Sequence, residues 1–398
     1  MSRIVVLGSG AWGTAIALSL HRRGGHHVTL WAHSPEAAVE IAEPRENILF
    51  LPGFPIPPDI IITGSTAAVA DAEIVVSVVP SEFLRSTFAR IRPHLHPGQV
   101  IVSATKGVED HTFLRMTQVI ASCLALAGPQ TAPEFPAKLA DPHTLELEDI
   151  NPEPFAEPSS PEVSSSGIAA APRSLDDLYL PIGALSGPSF ALEVAQGQPT
   201  AITVAFDDPE SGAPGGRSTS PGWELAARIQ QEFSSETLRL YTSNDVIGVE
   251  LGGALKNVIA IAAGIAAGVG LGHNSAAALM TRGIAEITRL AVACGGRRET
   301  LAGLSGVGDL VLTCTGSLSR NRTVGQALGQ GRNLPEILAS LGGKVAEGVL
   351  TTRAALGLAR RHNIEMPITE QMELILNEGK DPREAIKDLM LRPGKDEL

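Results

Sequence analysis

The sequence predicts two domains, an α/β domain built on a largely parallel sheet and an all-α domain after it. Short apolar runs alternate with helical patterns up to about Thr242, as in parallel sheets whose strands are buried on both faces. From about Val246 onward almost every segment has a helical pattern rich in Ala, Leu and Gly. A chain of 398 residues also exceeds one ordinary domain. We therefore place the domains at residues 1–242 and 243–398.

The first element is a strand that runs into a glycine-rich turn. Residues 4–7 are apolar, and Gly8, Gly10 and Gly13 follow with the spacing G-x-G-x-x-G before an apolar helical pattern from Ala15. The three glycines suit a tight turn, the approach of a pyrophosphate and close helix packing, and the free N–H groups of the helix favour that anion. The sequence therefore predicts a Rossmann-like domain that binds a dinucleotide. The alternative is a purely structural glycine turn.

The second strand, residues 27–31, ends in Ala32, His33 and Ser34. NAD-specific domains usually carry Asp or Glu at this point, where it binds the ribose 2′-hydroxyl. None of the three residues is a carboxylate that would repel a 2′-phosphate, so we expect the cofactor to be NADP or NAD. Either His33 or the backbone beside it is predicted to contact the adenosine ribose. The alternative is that His33 is an exposed loop residue.

Further strands are predicted at residues 60–63, 73–80, 100–105, 182–190 (running into a turn), 200–205 and 238–241. Pro80 is expected to end its strand, and Ser81 to cap the helix that follows. Lys106 comes directly after the strand at 100–105, at the edge where open α/β sheets bind ligands. It is therefore a candidate site residue, with a solvated loop lysine as the alternative.

Two segments interrupt this pattern. Residues 129–173 carry many Pro, Glu, Asp, Ser and Ala and almost no aromatic residues, and residues 207–222 are rich in Gly, Pro and Ser. Such compositions bury too little apolar surface to offset the entropy of ordering the chain. We expect residues 129–173 to be a flexible surface insertion without a catalytic role.

One lysine stands in the most apolar part of the second domain. Lys256 follows Gly252 and Gly253, which would let another backbone or a ligand approach. The longest apolar stretch, residues 258–271, is shorter than the roughly 20 residues that span a bilayer, so it predicts a buried core helix. Burial lowers the pKa of a lysine and lets it exchange a proton with a carbonyl or alcohol oxygen. The alternative is a packed lysine stem whose amine reaches water.

Two polar segments follow Lys256. Asp309 and Thr313 stand four residues apart and share a face if the segment is helical. Asp309 is predicted to hold Lys256 or to bind a substrate hydroxyl, with a helix cap as the alternative. The Ser-Arg-Asn run at residues 319–321 suits a phosphate clamp, because guanidinium binds phosphate oxygens in pairs. A basic turn is the alternative there.

Composition argues against several classes of partner. The formal net charge of −12 disfavours a nucleic-acid surface or an anionic membrane. Cys123, Cys294 and Cys314 lack paired or metal-ligand spacing, so we expect free thiols and no metal. With no signal-peptide pattern, these features predict a cytoplasmic protein with no nucleic-acid partner and no stable membrane insertion. The sequence leaves a homodimer open.

Six motifs occur in the order found in one enzyme family. They are the glycine loop with Trp12, Ala104-Thr105-Lys106-Gly107, Ser186-Gly187-Pro188-Ser189-Phe190, Gly252-Gly253-Ala254-Leu255-Lys256-Asn257, Gly306-Val307-Gly308-Asp309-Leu310 and Ser319-Arg320-Asn321. Outside the two inserted segments, the chain resembles the bacterial-type NAD(P)-dependent glycerol-3-phosphate dehydrogenases. The resemblance implies reversible hydride transfer between NAD(P)H and C2 of dihydroxyacetone phosphate. The product, sn-glycerol 3-phosphate, would serve phospholipid synthesis.

The resemblance also implies roles for single residues. Lys256 would give or take the proton, Lys106 would contact substrate near the nicotinamide, and Asp309 with Thr313 would stand beside the reacting carbonyl. Substrate contacts are implied at Lys106, Gly187, Ser189, Lys256, Asp309, Ser319, Arg320 and Asn321. Cofactor contacts are implied at Gly8, Gly10, Ala11, Trp12, Gly13, His33, Lys106, Ala191, Arg320, Val345 and Glu347. Ala11 replaces the Ser of many members, so one hydroxyl contact to the pyrophosphate would be lost.

Two other functions share this layout. A 6-phosphogluconate or 3-hydroxyacid dehydrogenase has the same domain order, but those families place their catalytic lysine in a different local motif and lack the Ser-Arg-Asn run. A dinucleotide-binding sensor without catalysis would bind nucleotide without turnover. The presence of Lys256, Asp309 and Arg320 argues against such a sensor.

Overall fold

The structure, a computed structural model, describes residues 1–125, 180–207, 220–341, 346–394 and 396. These belong to one unit, Met1–Ala125 with Leu178–Leu398. The expected insertion at residues 129–173 and most of the segment at 207–222 lie outside the described residues. The expectation that residues 129–173 are flexible therefore stays a prediction.

The strands are β1 Ser2–Leu7, β2 His26–Trp31, β3 Glu46–Asn47, β4 Leu51–Pro55, β5 Ile61–Thr63, β6 Ile74–Ser77, β7 Val100–Ser103, β8 Ile182–Ser186, β9 Thr200–Phe206 and β10 Leu238–Ser243. Eight of them form one sheet in the order β5-β2-β1-β6-β7-β8-β9-β10. From β5 to β8 all neighbours pair in parallel, whereas β9 runs antiparallel to β8 and parallel to β10. All eight predicted strands are therefore present in one sheet.

The helices are α1 Ala11–Arg23, α2 Pro35–Ala42, α3 Ser81–Ile91, α4 Met116–Ala125, α5 Ala191–Ala195, α6 Pro221–Phe233, α7 Val246–Val269, α8 His273–Ala293, α9 Arg298–Leu301, α10 Asp309–Thr315, α11 Arg320–Gly329, α12 Leu334–Ser340, α13 Glu347–Arg361, α14 Pro367–Glu378 and α15 Pro382–Met390. Among the described residues the last strand ends at Ser243, and only helices and turns follow from Val246. The predicted fold class, an α/β part followed by a helical part, is confirmed.

Helices cover both faces of the sheet. Successive side chains of a strand point to opposite faces, so Ile4 and Val6 of β1 pack in one core with Ile16 of α1. Val5 packs in a second core with Phe88 of α3 on the other face. This burial on both sides is the reason why the strands read as continuous apolar runs.

Some local expectations were wrong. The helix after the glycine turn begins at Ala11 rather than Ala15, since Gly13 and a buried Thr14 lie inside its first turns. Ser81 is the first residue of α3 and makes no capping hydrogen bond. The β3–β4 hairpin was not predicted, because the Pro and Gly residues of β4, Leu51–Pro55, hide the strand pattern.

Helix α7 forms the core of the helical part. It has 24 residues and is the one described helix that is long and apolar enough to cross a membrane. However, 94% of its most apolar 18-residue stretch is buried inside the protein. The argument from the length of residues 258–271 was therefore wrong, because the small residues before Lys256 extend the helix back to Val246. Burial, not length, shows that α7 is a core helix.

Candidate active site

Two lysines meet one carboxylate where the sheet and the helical part join. Lys106 follows β7, Lys256 lies in the middle of α7, and Asp309 is the first residue of α10. Lys106 Nζ lies 2.7 Å from Asp309 Oδ2, and Lys256 Nζ contacts Asp309 Oδ1. Lys256 Nζ also donates to Thr313 Oγ1 at 2.8 Å. The structure therefore brings four predicted site residues together, and we call Lys106, Lys256 and Asp309 the lysine–aspartate group.

Close backbone approaches position this group. A Cβ atom on Gly252 would lie 2.5 Å from the backbone oxygen of Ser305, and one on Gly253 would lie 2.3 Å from Ser186 Oγ. A larger residue at either position would push α7 away from β8 and from the π-helical turn, Leu304–Gly308, that precedes Asp309. As predicted, the glycine pair before Lys256 lets another backbone approach.

The electrostatics of the group favour a lysine that exchanges a proton near neutral pH. Asp309 is fully buried and Lys256 is 6% exposed. Burial lowers the pKa of Lys256 to about 8, with a further decrease from the charge of Lys106 and an opposing increase from Asp309. Two ammonium groups share one carboxylate, so one positive charge remains when all three are ionised. That charge can stabilise an oxyanion beside the lysines.

A turn after β8 adjoins the lysine–aspartate group. The carbonyl oxygen of Gly187 accepts hydrogen bonds from Lys106 Nζ at 3.5 Å and from Ser189 Oγ at 3.0 Å. Ala191, also predicted from the resemblance, is the first residue of α5. The predicted substrate residues Gly187 and Ser189 therefore lie at the lysine side of the site.

The glycine loop, residues 8–13, has the features that a pyrophosphate needs. A Cβ atom on Gly13 would lie 1.8 Å from the carbonyl oxygen of Gly8, so only glycine allows α1 to pack there. Around Gly10 nothing lies within 4 Å of an added Cβ, so its backbone is open to a ligand. No side chain caps the start of α1, where Ala11 and Trp12 stand, which leaves its N–H groups free. The loop fits the predicted dinucleotide.

Asn47 supports the glycine loop and was missed in the sequence. Its side chain is 1% exposed, and Nδ2 donates to the Ser9 carbonyl at 2.7 Å and to Thr14 Oγ1 at 2.8 Å. Its Oδ1 accepts from the backbone N–H of Phe50 at 3.2 Å. No sequence signal marks this residue, since it lies in the unpredicted hairpin, far along the chain from the loop.

Replacing Asn47 should weaken dinucleotide binding. Asn47→Ala leaves the Ser9 carbonyl and the Thr14 hydroxyl without their donor, and each lost buried partner costs about 1–3 kcal/mol. We expect the Kd for NADPH, measured by fluorescence titration, to rise at least roughly fivefold, because part of that energy is spent on holding the loop. Asn333→Ala, which removes a helix cap at α12, is the matched control and should leave Kd unchanged. An unchanged Kd in Asn47→Ala would contradict this role.

The predicted phosphate clamp opens helix α11. Ser319 caps the helix, its Oγ accepting from the N–H of Arg322 at 3.2 Å. Asn321 Oδ1 accepts from the N–H of Gly348 at 3.0 Å. Arg320 is exposed, and no hydrogen bond or ion pair to another described residue restrains its side chain. Two members of the clamp are thus fixed, and the guanidinium between them, whose charge also acts on the Glu347 carboxylate, has donors available for an anion.

Glu347 connects the clamp to the lysine–aspartate group. Asn257 Nδ2, one residue beyond Lys256, donates to Glu347 Oε2 at 3.2 Å. Burial raises the pKa of Glu347, and the positive charges of Arg320, Lys106 and Lys256 oppose the rise. Val345, the other predicted residue of this loop, lies outside the described residues.

His33 lies apart from the lysines, beyond the end of β2. Its side chain is exposed, and its carbonyl oxygen accepts from Arg90 Nη1 at 3.3 Å. His33 is thus an exposed loop residue, and its contact with the adenosine ribose stays a prediction. In the described part of the chain no three His, Cys, Asp or Glu side chains could together hold a metal ion, and the cysteines are free thiols.

Comparisons of the sequence with known proteins identify one family. Two sequence models match, described as the N-terminus and the C-terminus of NAD-dependent glycerol-3-phosphate dehydrogenase, over residues 3–149 with 169–212 and over residues 245–387. A glycerol-3-phosphate dehydrogenase (NAD(P)+) of Koribacter versatilis is 51% identical over 100% of this chain and 99% of its own. One of Acidobacterium capsulatum is also 51% identical, over 100% of both chains. The crystal structure of glycerol-3-phosphate dehydrogenase from Coxiella burnetii superposes with a TM-score of 0.78 at 32% identity, covering 98% of this chain and 99% of that one.

Proposed function

Because this chain belongs to the NAD-dependent glycerol-3-phosphate dehydrogenase family, it is an NAD(P)-dependent oxidoreductase, and we propose that the lysine–aspartate group is its reaction centre. The reaction is reversible hydride transfer between NAD(P)H and C2 of dihydroxyacetone phosphate, which gives sn-glycerol 3-phosphate, a precursor for phospholipids. This assignment replaces the alternatives of a 6-phosphogluconate-type or 3-hydroxyacid dehydrogenase and of a sensor without catalysis. NADPH oxidation on addition of dihydroxyacetone phosphate is the direct assay.

The observation that carries the assignment of the reaction centre is the bridge from Asp309 to both lysines. Reduction of a ketone leaves negative charge on its oxygen, which needs a proton donor and a positive neighbour. Lys256, with its lowered pKa, donates the proton to the C2 oxygen in reduction and removes it in oxidation. Lys106 adds positive charge, and Asp309 and Thr313 fix the direction of the Lys256 amine. The four side chains thus supply the proton, the positive charge and the orientation of the amine.

The glycine loop and the residues near it would hold the dinucleotide. Its pyrophosphate would meet the open backbone at Gly10 and the start of α1, next to Ala11 and Trp12. When bound, the nicotinamide supplies or accepts the hydride. Lys106, Ala191 and Glu347 would flank the nicotinamide end. Lys106 contacts Asp309, and Asn257, next to Lys256, donates to Glu347.

The substrate phosphate would bind at the start of α11. The free guanidinium of Arg320 offers paired donors, and the helix N-terminus adds N–H groups and a partial positive charge. Ser319 and Asn321 would contact the same phosphate with the polar atoms that their structural hydrogen bonds leave free. Gly187 and Ser189 would line the opposite side of the substrate.

The pH dependence of both directions should follow Lys256. Ketone reduction needs the protonated amine, so kcat/KM for dihydroxyacetone phosphate should fall above the pKa of Lys256 in the free enzyme, about 8. Alcohol oxidation needs the neutral amine, so its kcat/KM should rise up to the same pH and then level off. Steady-state profiles in both directions test this. A reduction rate that stays flat through alkaline pH would remove Lys256 as the proton donor.

Asp309→Asn gives a second test of whether Lys256 is the group that titrates. The carboxylate raises the pKa of Lys256, opposing burial and the charge of Lys106. Without it the break in both profiles should move to lower pH, because the amine loses the negative charge that favours its protonated form. A break that stays at the same pH would mean that another group titrates.

The proposal also gives each domain a role. Residues 1–242 hold the dinucleotide, and residues 243–398 hold the substrate phosphate. This assignment is supported by the places of the glycine loop and of α11. We further propose a cytoplasmic enzyme that acts on a small phosphorylated substrate, with no nucleic-acid partner and no stable membrane insertion. The composition and net charge of −12 support this proposal.

A further inference from the structure

The loop after β2, residues 32–34, is fixed beside the glycine loop. The N–H of Gly8 donates to the carbonyl of Trp31 at 3.0 Å, and the N–H of Ala32 donates to the carbonyl of Thr63 at 2.9 Å. Behind the loop, Gly64 lies so close that an added Cβ would be 2.5 Å from the backbone of Ser34. A dinucleotide held by the glycine loop places its adenosine ribose at this loop.

Arg90 reaches the loop from α3. Its Nη1 donates to the His33 carbonyl at 3.3 Å, and its guanidinium carbon lies 5.8 Å from the centre of the Trp31 ring. The side chain is exposed, and within the described part of the chain no carboxylate forms an ion pair with it. One nitrogen and the ring face thus hold the guanidinium in place, while its other donors remain available.

A carboxylate follows the same loop in the chain. Glu36 lies in the first turn of α2, and hydrogen bonds from its own N–H and from the Ser34 hydroxyl lower its pKa. Glu36 is therefore ionised at neutral pH. The three residues after Trp31 contain no carboxylate, but Glu36 follows two residues after Ser34. A carboxylate here accepts the 2′-hydroxyl of NAD and repels the 2′-phosphate of NADP.

We propose that Arg90 binds the 2′-phosphate of NADP and that Glu36 opposes it by favouring the free 2′-hydroxyl of NAD. The cofactor preference of this enzyme is then set by two opposed charges at the loop after β2. The glycine-loop motif does not include Arg90, because Arg90 comes from α3, which follows β6. The inference rests on the proposed binding of a dinucleotide at the glycine loop.

The test compares two cofactors in two variants. Arg90→Ala should raise the Kd for NADPH roughly tenfold or more, as expected for a lost hydrogen-bonded charge pair, and change the Kd for NADH less than twofold. Competition by 2′,5′-ADP should weaken in parallel, and competition by 5′-AMP should not. Glu36→Gln should lower the ratio of the Kd for NADPH to the Kd for NADH by up to roughly fivefold, because exposed charge pairs contribute energies in that range.

Arg239→Ala is the matched control, since Arg239 is also exposed and lies over an aromatic ring, that of Tyr241, at the far edge of the sheet. It should change neither Kd. If Arg90→Ala weakens NADH and NADPH equally, Arg90 only supports Trp31 and the proposal is wrong. If Arg90→Ala changes neither, the 2′-phosphate binds elsewhere and the proposal is also wrong. Failure of the wild-type protein to bind either dinucleotide would instead overturn the proposed function.

Discussion

Lys256→Met should fold and bind NADPH but reduce dihydroxyacetone phosphate at least roughly a thousandfold more slowly than the wild type. A single general acid contributes about 10²–10⁴-fold, and the lost positive charge beside the oxyanion adds to that. The effect should fall on kcat, because the proton is needed only as the C2 oxygen gains charge. Methionine keeps most of the lysine stem, so packing within α7, Val246–Val269, should survive.

Two further variants make this result interpretable. Lys380→Met removes another partly buried lysine, which follows α14 and is paired with Asp388 of α15 at 2.5 Å, and should keep wild-type kcat. A fluorescence titration of Lys256→Met should give the wild-type Kd for NADPH, because the glycine loop is unchanged. If Lys256→Met keeps a tenth or more of kcat, Lys256 is a structural lysine. Lys106, which contacts the same carboxylate, then becomes the leading proton donor.

The sequence predicted the sheet well, for a physical reason. Strands buried on both faces must be apolar at nearly every position, as in residues 4–7 and 100–102, so their pattern is local. The β3–β4 hairpin has no such pattern, because its strands are short and one contains Pro and Gly. The helical pattern from about Val246 was found, but the apolar run of α7 was judged too short, since Gly252, Gly253 and Lys256 interrupt an apolar pattern that the surrounding helices nevertheless bury.

Some residues of the site could also be predicted from local sequence patterns, and others could not. Residues in local motifs, such as Gly13 and Lys256, could be found because a glycine spacing or a charge in an apolar run is visible in the chain itself. The contact of Lys106 with Asp309 joins positions 203 residues apart, and no pattern records it. Asn47 and Arg90 act on loops distant in sequence, and each is an ordinary polar residue in its own segment. Only the fold shows what they touch.

Arg320→Ala should raise the KM for dihydroxyacetone phosphate roughly 10- to 100-fold. A charge-assisted hydrogen bond contributes about 1.5–3 kcal/mol, and Arg320 should make such bonds to the phosphate in both the ground and the transition state. Uniform binding of this kind affects KM more than kcat. Arg320→Ala should therefore change mainly KM, whereas Lys256→Met should change mainly kcat, because it removes an interaction used only as the oxygen gains charge. Some loss of kcat is expected too if Arg320 also touches the cofactor.

Arg332→Ala is the matched control, because Arg332 is exposed and lies beyond the other end of α11, Arg320–Gly329, about 15 Å away along the helix. It should leave KM unchanged. Arg320→Lys keeps the charge but not the paired donors, so it should recover only part of the loss. Inorganic phosphate, a competitor for the clamp, should inhibit the wild type and Arg332→Ala alike but inhibit Arg320→Ala much less. If KM and phosphate inhibition stay at wild-type values in Arg320→Ala, the substrate phosphate binds elsewhere and residues 319–321 form only a basic turn.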